Sequence, residues 1–343
     1  MVPLAVRAQD ARVLVIQTAF LGDVVLTTPL LAALATQHGP VDVVTTPVAA
    51  PLLETHDAVR QVIPYDKRGA DRGWAGVRTL AGRLRTQRYE RAYLPHRSLR
   101  TAALAWRARI PARIGFSGGW SFLYTDARPK PRTGHESDRL LALADGPPGA
   151  YPPHLRPTAE DEQAAAALLD GTFVALAPGS IWGSKRWPYY AELAATLAKH
   201  VAIAVVGGRD DVELGNEIVA AVGRSGGRAV NACGQLTLRQ SAAFIGRAVL
   251  LVTNDSAPLH LATAMRTPIV ALFGPTVTEF GFGPVRPGDV ALGTEGLLCR
   301  PCSPHGPLQC PLGHHRCMRD LSVEAVIAAI EEIGALQIGR AHV

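Results

Sequence analysis

Three short stretches of the chain carry residues that could do chemistry on a phosphorylated substrate. Asp23 follows Gly22 just after an apolar run, at the mouth of a helical stretch. The helix dipole favours an ionised carboxylate there, as a general base at neutral pH requires; a plain helix cap is the ordinary alternative. Lys185 lies in the loop Trp182-Gly183-Ser184-Lys185-Arg186-Trp187-Pro188. Its ammonium suits a diphosphate, and a solvated loop lysine is the ordinary alternative. Asn254-Asp255-Ser256-Ala257-Pro258-Leu259-His260 opens a further helix. Asp255 or Ser256 can cap it and Pro258 suits its first turn, so its N–H groups and dipole make a phosphate or pyrophosphate site. Taken singly, each feature is more often structural.

Missing motifs narrow the chemistry. Gly-x-Gly-x-x-Gly does not follow the first strand, and no phosphate-loop Gly-Lys-Ser/Thr occurs. There is no Asp-x-Asp to hold a divalent ion against a sugar diphosphate. A diphosphate leaving from this protein must therefore be stabilised by the protein's own positive groups.

The elements that position these residues alternate strand and helix. Val13-Leu14-Val15-Ile16 is a buried strand followed by a helix from Val24 to about Thr36. Strands are expected at Val41 to Thr45, Val59 to Ile63 and Arg91 to Leu94, with helices at Ala75 to Thr86 and Leu99 to Ala108. The second half repeats the pattern. Strands at Phe173 to Ala177, Val201 to Val206, Val249 to Thr253 and Ile269 to Phe273 alternate with helices at Tyr189 to Lys199, Asp210 to Val222 and Ser322 to Ile333. Such alternation gives parallel sheets with right-handed crossovers. In open parallel sheets ligands bind at the carboxyl ends of strands. Gly22-Asp23, Pro178-Gly179-Ser180, Gly207-Gly208 and Asn254-Asp255-Ser256 all fall there.

A Pro/Gly-rich segment, Gly146 to Pro153, cannot continue a helix or a central strand and marks a domain boundary. The expected division is 1–155, 156–321 and a C-terminal helix and tail, 322–343. A chain of 343 residues fits two domains, and 48% apolar residues can fill two cores. No apolar run is long enough to span a bilayer, and Met1 to Asp10 lacks a secretory signal, which reads as cytoplasmic. The net charge of +6 is small for this length, but eleven arginines between Arg72 and Arg113 concentrate it in one half. Attachment to an anionic membrane surface stays open, and no nucleic-acid-binding signature is present.

Cysteine is used unevenly. Cys299, Cys302, Cys310 and Cys317 crowd one stretch with His305, His314 and His315. The spacing suits structural zinc in part, but the second pair is too wide for a knuckle, and reduced thiols or a loop staple compete with it.

Together, the stretches Leu14 to Val25, Pro178-Gly179-Ser180 to Lys185-Arg186-Trp187-Pro188, Thr253 to Ala262, Ala271 to Thr276 and Cys299-Arg300-Pro301-Cys302 resemble the ADP-heptose:lipopolysaccharide heptosyltransferases of glycosyltransferase family 9, and more closely their heptosyltransferase II branch. The resemblance covers nearly the whole chain in order. It implies a GT-B fold, two Rossmann-like parallel-sheet domains facing across a cleft, with the acceptor in the first and an ADP-sugar in the second. It implies an inverting, metal-independent transfer of L-glycero-D-manno-heptose from ADP-heptose to an anionic, lipid-linked inner-core acceptor. No cofactor is expected, and the enzyme would work in the cytoplasm or peripherally at the inner face of the cytoplasmic membrane. Asp23 matches the catalytic base. Lys185, Asp255, Ser256, Ala257 and His260 match the donor site, with Ser180 beside the phosphates. Gly22, Arg97 and Arg100 would serve the acceptor. Asp210 or Glu213 would meet the ribose or adenine. Another nucleotide sugar or acceptor, a nucleotide-sugar epimerase, and a non-catalytic, basic, zinc-stapled binding protein are the competing readings.

Overall fold

The computed structural model describes residues 12–334, so the stretch Met1 to Asp10 and the tail beyond Gly334 lie outside it. The chain divides after Arg156 into two compact units. In the first, β1 (Val13–Ile16), α1 (Leu21–Leu26), α2 (Thr28–His38), β2 (Val41–Thr45), α3 (Ala50–Leu53), β3 (Val59–Pro64) and α4 (Gly73–Thr86) precede β4 (Arg91–Leu94), α5 (Leu99–Arg107), β5 (Ala112–Phe116), β6 (Asp126–Arg128) and α6 (Glu136–Leu141). Its six strands are parallel in the order β3-β2-β1-β4-β5-β6.

The second unit holds α7 (Ala159–Leu168), β7 (Phe173–Ala177), α8 (Tyr190–Leu197), β8 (Ala202–Val205), α9 (Val212–Arg224), β9 (Ala229–Asn231) and α10 (Leu238–Arg247). There follow β10 (Leu250–Asn254), α11 (Ala257–Met265), β11 (Ile269–Leu272), β12 (Val290–Leu292), α12 (Arg316–Arg319) and α13 (Val323–Ile333). Its order is β9-β8-β7-β10-β11-β12, again all parallel. Numbered within each unit, both sheets read 3-2-1-4-5-6, the dinucleotide-binding (Rossmann) order. Strand direction of winding reverses between β1 and β4 in one and between β7 and β10 in the other, and ligands bind at such switch points.

The central strands are apolar throughout because helices cover both faces. Val13 to Ile16, Phe173 to Ala177 and Ile269 to Leu272 are buried at every position. In the second unit, α13 closes the core with Val323, Val326, Ala329 and Ile330, and the Ser322 hydroxyl caps it by accepting from the Ala325 N–H. Short strands that carry little apolar signal, such as β6 and β9, were not legible in the sequence pattern.

The single helix expected from Val24 to Thr36 is two. The Thr27 and Thr28 hydroxyls donate back to the Asp23 and Val25 carbonyls, and Pro29 follows at the second position of α2. A ring without an N–H is tolerated only in a first turn, so the chain restarts its helix there. Similarly, the stretch from Asp210 begins with a 3₁₀ turn, Arg209–Asp211, before α9.

One core contact predicts a pH dependence. His56, buried after α3, accepts the Ala58 N–H at Nδ1 and packs against His154 with 4.1 Å between centroids and the rings tilted by 39°. Burial, and the neighbouring His154, lower its pKa to about 4 against the opposing pull of Asp57. The unfolded chain therefore takes up this proton first. Stability is fully present above pH about 6.5 and falls as pH drops towards 4, by about 3 kcal/mol for this group. Urea unfolding between pH 4.5 and 7 checks this. His56→Asn, whose carbonyl oxygen still accepts from Ala58, should flatten that slope; an unchanged slope would assign it elsewhere.

Candidate active site

In the first unit, the chemistry collects at the ends of β1 and β4, on either side of the switch point. Asp23 is the third residue of α1, and its Oδ2 accepts the Phe20 N–H at 3.1 Å. The capping role foreseen as an alternative is thus present, exercised from inside the helix rather than at its cap position. Gln17 shapes the turn before it: its side-chain Oε1 accepts the Ala19 N–H at 3.2 Å, and its Nε2 donates to Thr27 Oγ1 at 3.0 Å. Thr27 in turn donates to the Asp23 carbonyl at 2.6 Å. The Asp23 carboxylate is partly exposed on a backbone fixed from both sides. Gly22, beside it in the first turn, is also partly buried.

Arg97 and Arg100 follow β4, as expected, but they differ in what they hold. Arg97 is exposed, with Nη1 3.4 Å from the Ser117 carbonyl, whereas Arg100 donates at 2.9 Å to the Lys67 carbonyl and so braces a loop. Two residues were missed. Lys67 Nζ donates to the Thr18 carbonyl in the turn before Asp23, and burial, with Arg68 and Arg100, lowers its pKa. His96 is held below its ordinary pKa by burial and by Lys67, Lys130 and Arg97, and its buried Nδ1 has no hydrogen-bond partner. This end of the sheet concentrates positive charge around a neutral imidazole, an environment fit for an anionic ligand.

In the second unit, the residues meet at the ends of β7 and β10. Lys185 ends a 3₁₀ turn, Gly183–Lys185, and it is buried rather than solvated. Its Nζ lies 2.5 Å from Asp255 Oδ2 and 3.2 Å from the Asp255 carbonyl. Thr276, in the turn after β11, donates to the same Oδ2 at 2.7 Å. Removing either charge would strand the other in a dry site, which typically costs several kcal/mol.

Ser256 occupies the N-cap of α11, with Ala257 first and Pro258 second in the helix, but its hydroxyl does not make the expected cap bond. That Oγ is buried without a hydrogen-bond partner beside the helix N-terminus. An anion at the free N–H groups would satisfy it. His260, buried one turn on, faces Phe282 edge-on with 6.2 Å between centroids. Ser180 keeps its hydroxyl on the Trp182 N–H at 3.2 Å, so its side chain shapes the turn.

Two further side chains hold these turns together, a role the sequence did not indicate for either. Asn254 donates to the Pro178 carbonyl at 2.8 Å while its oxygen accepts from the Trp187 N–H at 3.2 Å and the Tyr190 hydroxyl at 3.3 Å. Asp211 accepts the Gly208 N–H at 2.9 Å and fills the space where a Cβ on Gly179 would sit, which explains that glycine. Asp210 and Glu213, the two candidates for the ribose or adenine, are both exposed after β8.

Cys299, Cys302, Cys310 and Cys317 are free thiols. Among the described residues no three His, Cys, Asp or Glu side chains are grouped as metal ligands. The loop is instead fastened by hydrogen bonds. Arg300 donates to the carbonyls of Phe273, Gly274, Thr276 and Thr294, and the Cys302 N–H to that of Pro275 at 2.8 Å.

Two six-stranded Rossmann-like units, the second with a buried lysine and a helix N-terminus at its switch point, have the architecture of the GT-B glycosyltransferases. A model of glycosyltransferase family 9 (heptosyltransferase) matches residues 77–310, which include Lys185 and the start of α11 but not Asp23. The chain belongs to glycosyltransferase family 9. Lipopolysaccharide heptosyltransferase 2 of Salmonella typhimurium is 29% identical over 326 residues, 84% of this chain and 94% of that protein. Lipooligosaccharide heptosyltransferase 2 of Haemophilus influenzae is 30% identical over 293 residues, 78% of this chain and 84% of that one. Among solved structures, the ADP-heptose lipopolysaccharide heptosyltransferase II of Escherichia coli aligns with a TM-score of 0.78 at 27% identity, covering 94% of this chain and 98% of that one. A family 9 glycosyltransferase of Veillonella parvula shares the fold with a TM-score of 0.83 at 24% identity, over 94% and 97% of the two chains. Membership in an enzyme family sets aside the non-catalytic scaffold reading.

Proposed function

We propose that this glycosyltransferase moves L-glycero-D-manno-heptose from ADP-heptose to an anionic, lipid-linked inner-core acceptor with inversion at the anomeric carbon. The observation that carries the donor side is the buried Lys185–Asp255–Thr276 set beside the α11 N-terminus and its orphaned Ser256 hydroxyl. The leaving ADP carries its charge on the diphosphate, and Lys185 with the Ser256 and Ala257 N–H groups meets it. Asp23 takes the proton from the acceptor hydroxyl as that oxygen attacks the anomeric carbon, and the bond to the diphosphate oxygen breaks with its electron pair.

Arg97, Arg100, Lys67 and the surroundings of His96 support an anionic acceptor. Exposed Trp74, Trp120 and Phe122 accompany exposed Arg68, Arg72 and Arg97 in the segments that follow β3, β4 and β5, Trp74 in the first turn of α4 and Phe122 in a 3₁₀ turn. Aromatic and cationic groups together suit a headgroup region, in keeping with peripheral attachment at the inner face of the cytoplasmic membrane. Among the described residues no helix is long and apolar enough to cross a membrane.

Calorimetric titration with ADP, with UDP as control and EDTA throughout, tests the donor. Micromolar binding of ADP without UDP is expected. Binding of UDP alone would retain a sugar transferase and discard the ADP-heptose assignment.

A further inference from the structure

The Cys-rich loop, residues 297–317, takes no part in the chemistry above, yet it packs on the segment that carries Lys185. The Ser184 N–H and hydroxyl both donate to the Pro307 carbonyl. A Cβ on Gly306 would stand 3.2 Å from Lys185 Cε, so the loop backbone lies directly against the lysine's stem. His305 stacks on Trp182 in the same segment, with rings 14° from parallel. From the loop's far end, His315 Nε2 lies 2.7 Å from the Ser184 carbonyl, and since a carbonyl only accepts, that nitrogen carries the proton.

The turn that aims His315 is built on Cys310. The His315 N–H donates to Cys310 Sγ at 3.4 Å, and His315 itself sits in the left-handed region with φ 50°. Burial pushes the Cys310 thiol up, but backbone N–H groups of His315, Leu312, Gly313 and His314 outweigh it and hold the thiol below its ordinary range. At the other end, the Arg300 fork fixes the β11 turn, whose Thr276 hydroxyl holds the carboxylate paired with Lys185. The lysine is therefore approached from two sides by one loop.

We propose that the Cys-rich loop is the element that positions Lys185, and that His315, turned by Cys310, is the positioning residue through which it acts. The inference rests on Lys185 being the diphosphate ligand. A positioning role differs from a merely structural one in where the loss falls: on donor binding, with the acceptor untouched.

ADP titration of the full-length protein comes first, followed by His315→Ala and His315→Gln. The Ala variant should bind ADP roughly tenfold more weakly, the worth of one well-placed hydrogen bond. Its KM for the ADP-sugar should rise by a similar factor while the acceptor KM stays put. Gln, which can still donate to the Ser184 carbonyl, should recover part of the loss. Unchanged ADP affinity in a folded His315→Ala protein would overturn the proposal.

A second measurement on the unaltered protein stands even if the variants misfold. Alkylation by iodoacetamide, mapped to Cys310 by peptide mass spectrometry, should slow several-fold under saturating ADP, and the alkylated protein, its His315 turn disturbed, should bind ADP more weakly. Equal alkylation rates would contradict the coupling. Failure of the unaltered protein to bind ADP at all would instead remove the donor reading, and this inference with it.

Discussion

Asp23→Asn lowers kcat by roughly a hundredfold or more and leaves ADP affinity within about twofold. Asparagine is the informative replacement because of how Asp23 is held. Oδ2 accepts the Phe20 N–H, and the amide oxygen of asparagine can do the same, so α1 keeps its first-turn bond. What is lost is the capacity to take a proton. Alanine removes both, and its effect on turnover would be mixed with the loss of a cap interaction, typically about 1 kcal/mol. Steady-state kinetics and ADP titration on the same preparation separate the two. Normal turnover by Asp23→Asn would dismiss Asp23 as the base, whatever its effect on stability.

Lys185→Ala is expected to act on binding and rate together. Charge-assisted hydrogen bonds of an ammonium are worth about 1.5–3 kcal/mol each, so ADP affinity should fall roughly ten- to hundredfold and kcat should fall with it. A structural consequence follows from the pairing. Asp255 would remain buried with only Thr276 on its carboxylate, and breaking such a pair destabilises by about 3–5 kcal/mol. Lys185→Ala with Asp255→Asn removes both charges and should regain much of that stability without regaining ADP binding. Thermal unfolding of the two variants, beside their ADP isotherms, tells loss of fold from loss of ligand. An ADP isotherm for folded Lys185→Ala indistinguishable from the unaltered protein would strip Lys185 of its role.

How much of this was legible before the structure depends on the range of each interaction. Val13 to Ile16, Phe173 to Ala177 and Ile269 to Leu272 announce buried parallel strands because both faces need apolar cover, and the turn residues that follow them mark the ligand end. Asp23 and Asn254 to His260 stand out because strand, turn and helix start are adjacent in sequence. The break at Thr27 was visible in Pro29 but was overridden by the apolar periodicity around it. Burial of Lys185 was not legible, since its partner Asp255 lies 70 residues away, and Thr276, which holds that carboxylate, 91. For the same reason the turn-holding bonds of Asn254, Asp211, Arg300 and His315 were not legible. Their work consists of holding backbone carbonyls and N–H groups on turns far away in sequence, which leaves no local pattern. The four cysteines show the converse: their spacing leaves zinc, a staple and reduced thiols all open, and the structure holds them as free thiols.

The most direct test of the account is transfer itself. Purified protein, EDTA, ADP-heptose and a lipid-linked inner-core oligosaccharide would be incubated together, and the acceptor analysed by mass spectrometry and anomeric NMR. The account predicts an acceptor heavier by one heptose, joined with the anomeric configuration opposite to that of the donor, and one ADP released per transfer. ADP-heptose left intact beside an unmodified acceptor, while another nucleotide sugar is consumed under the same conditions, would contradict it.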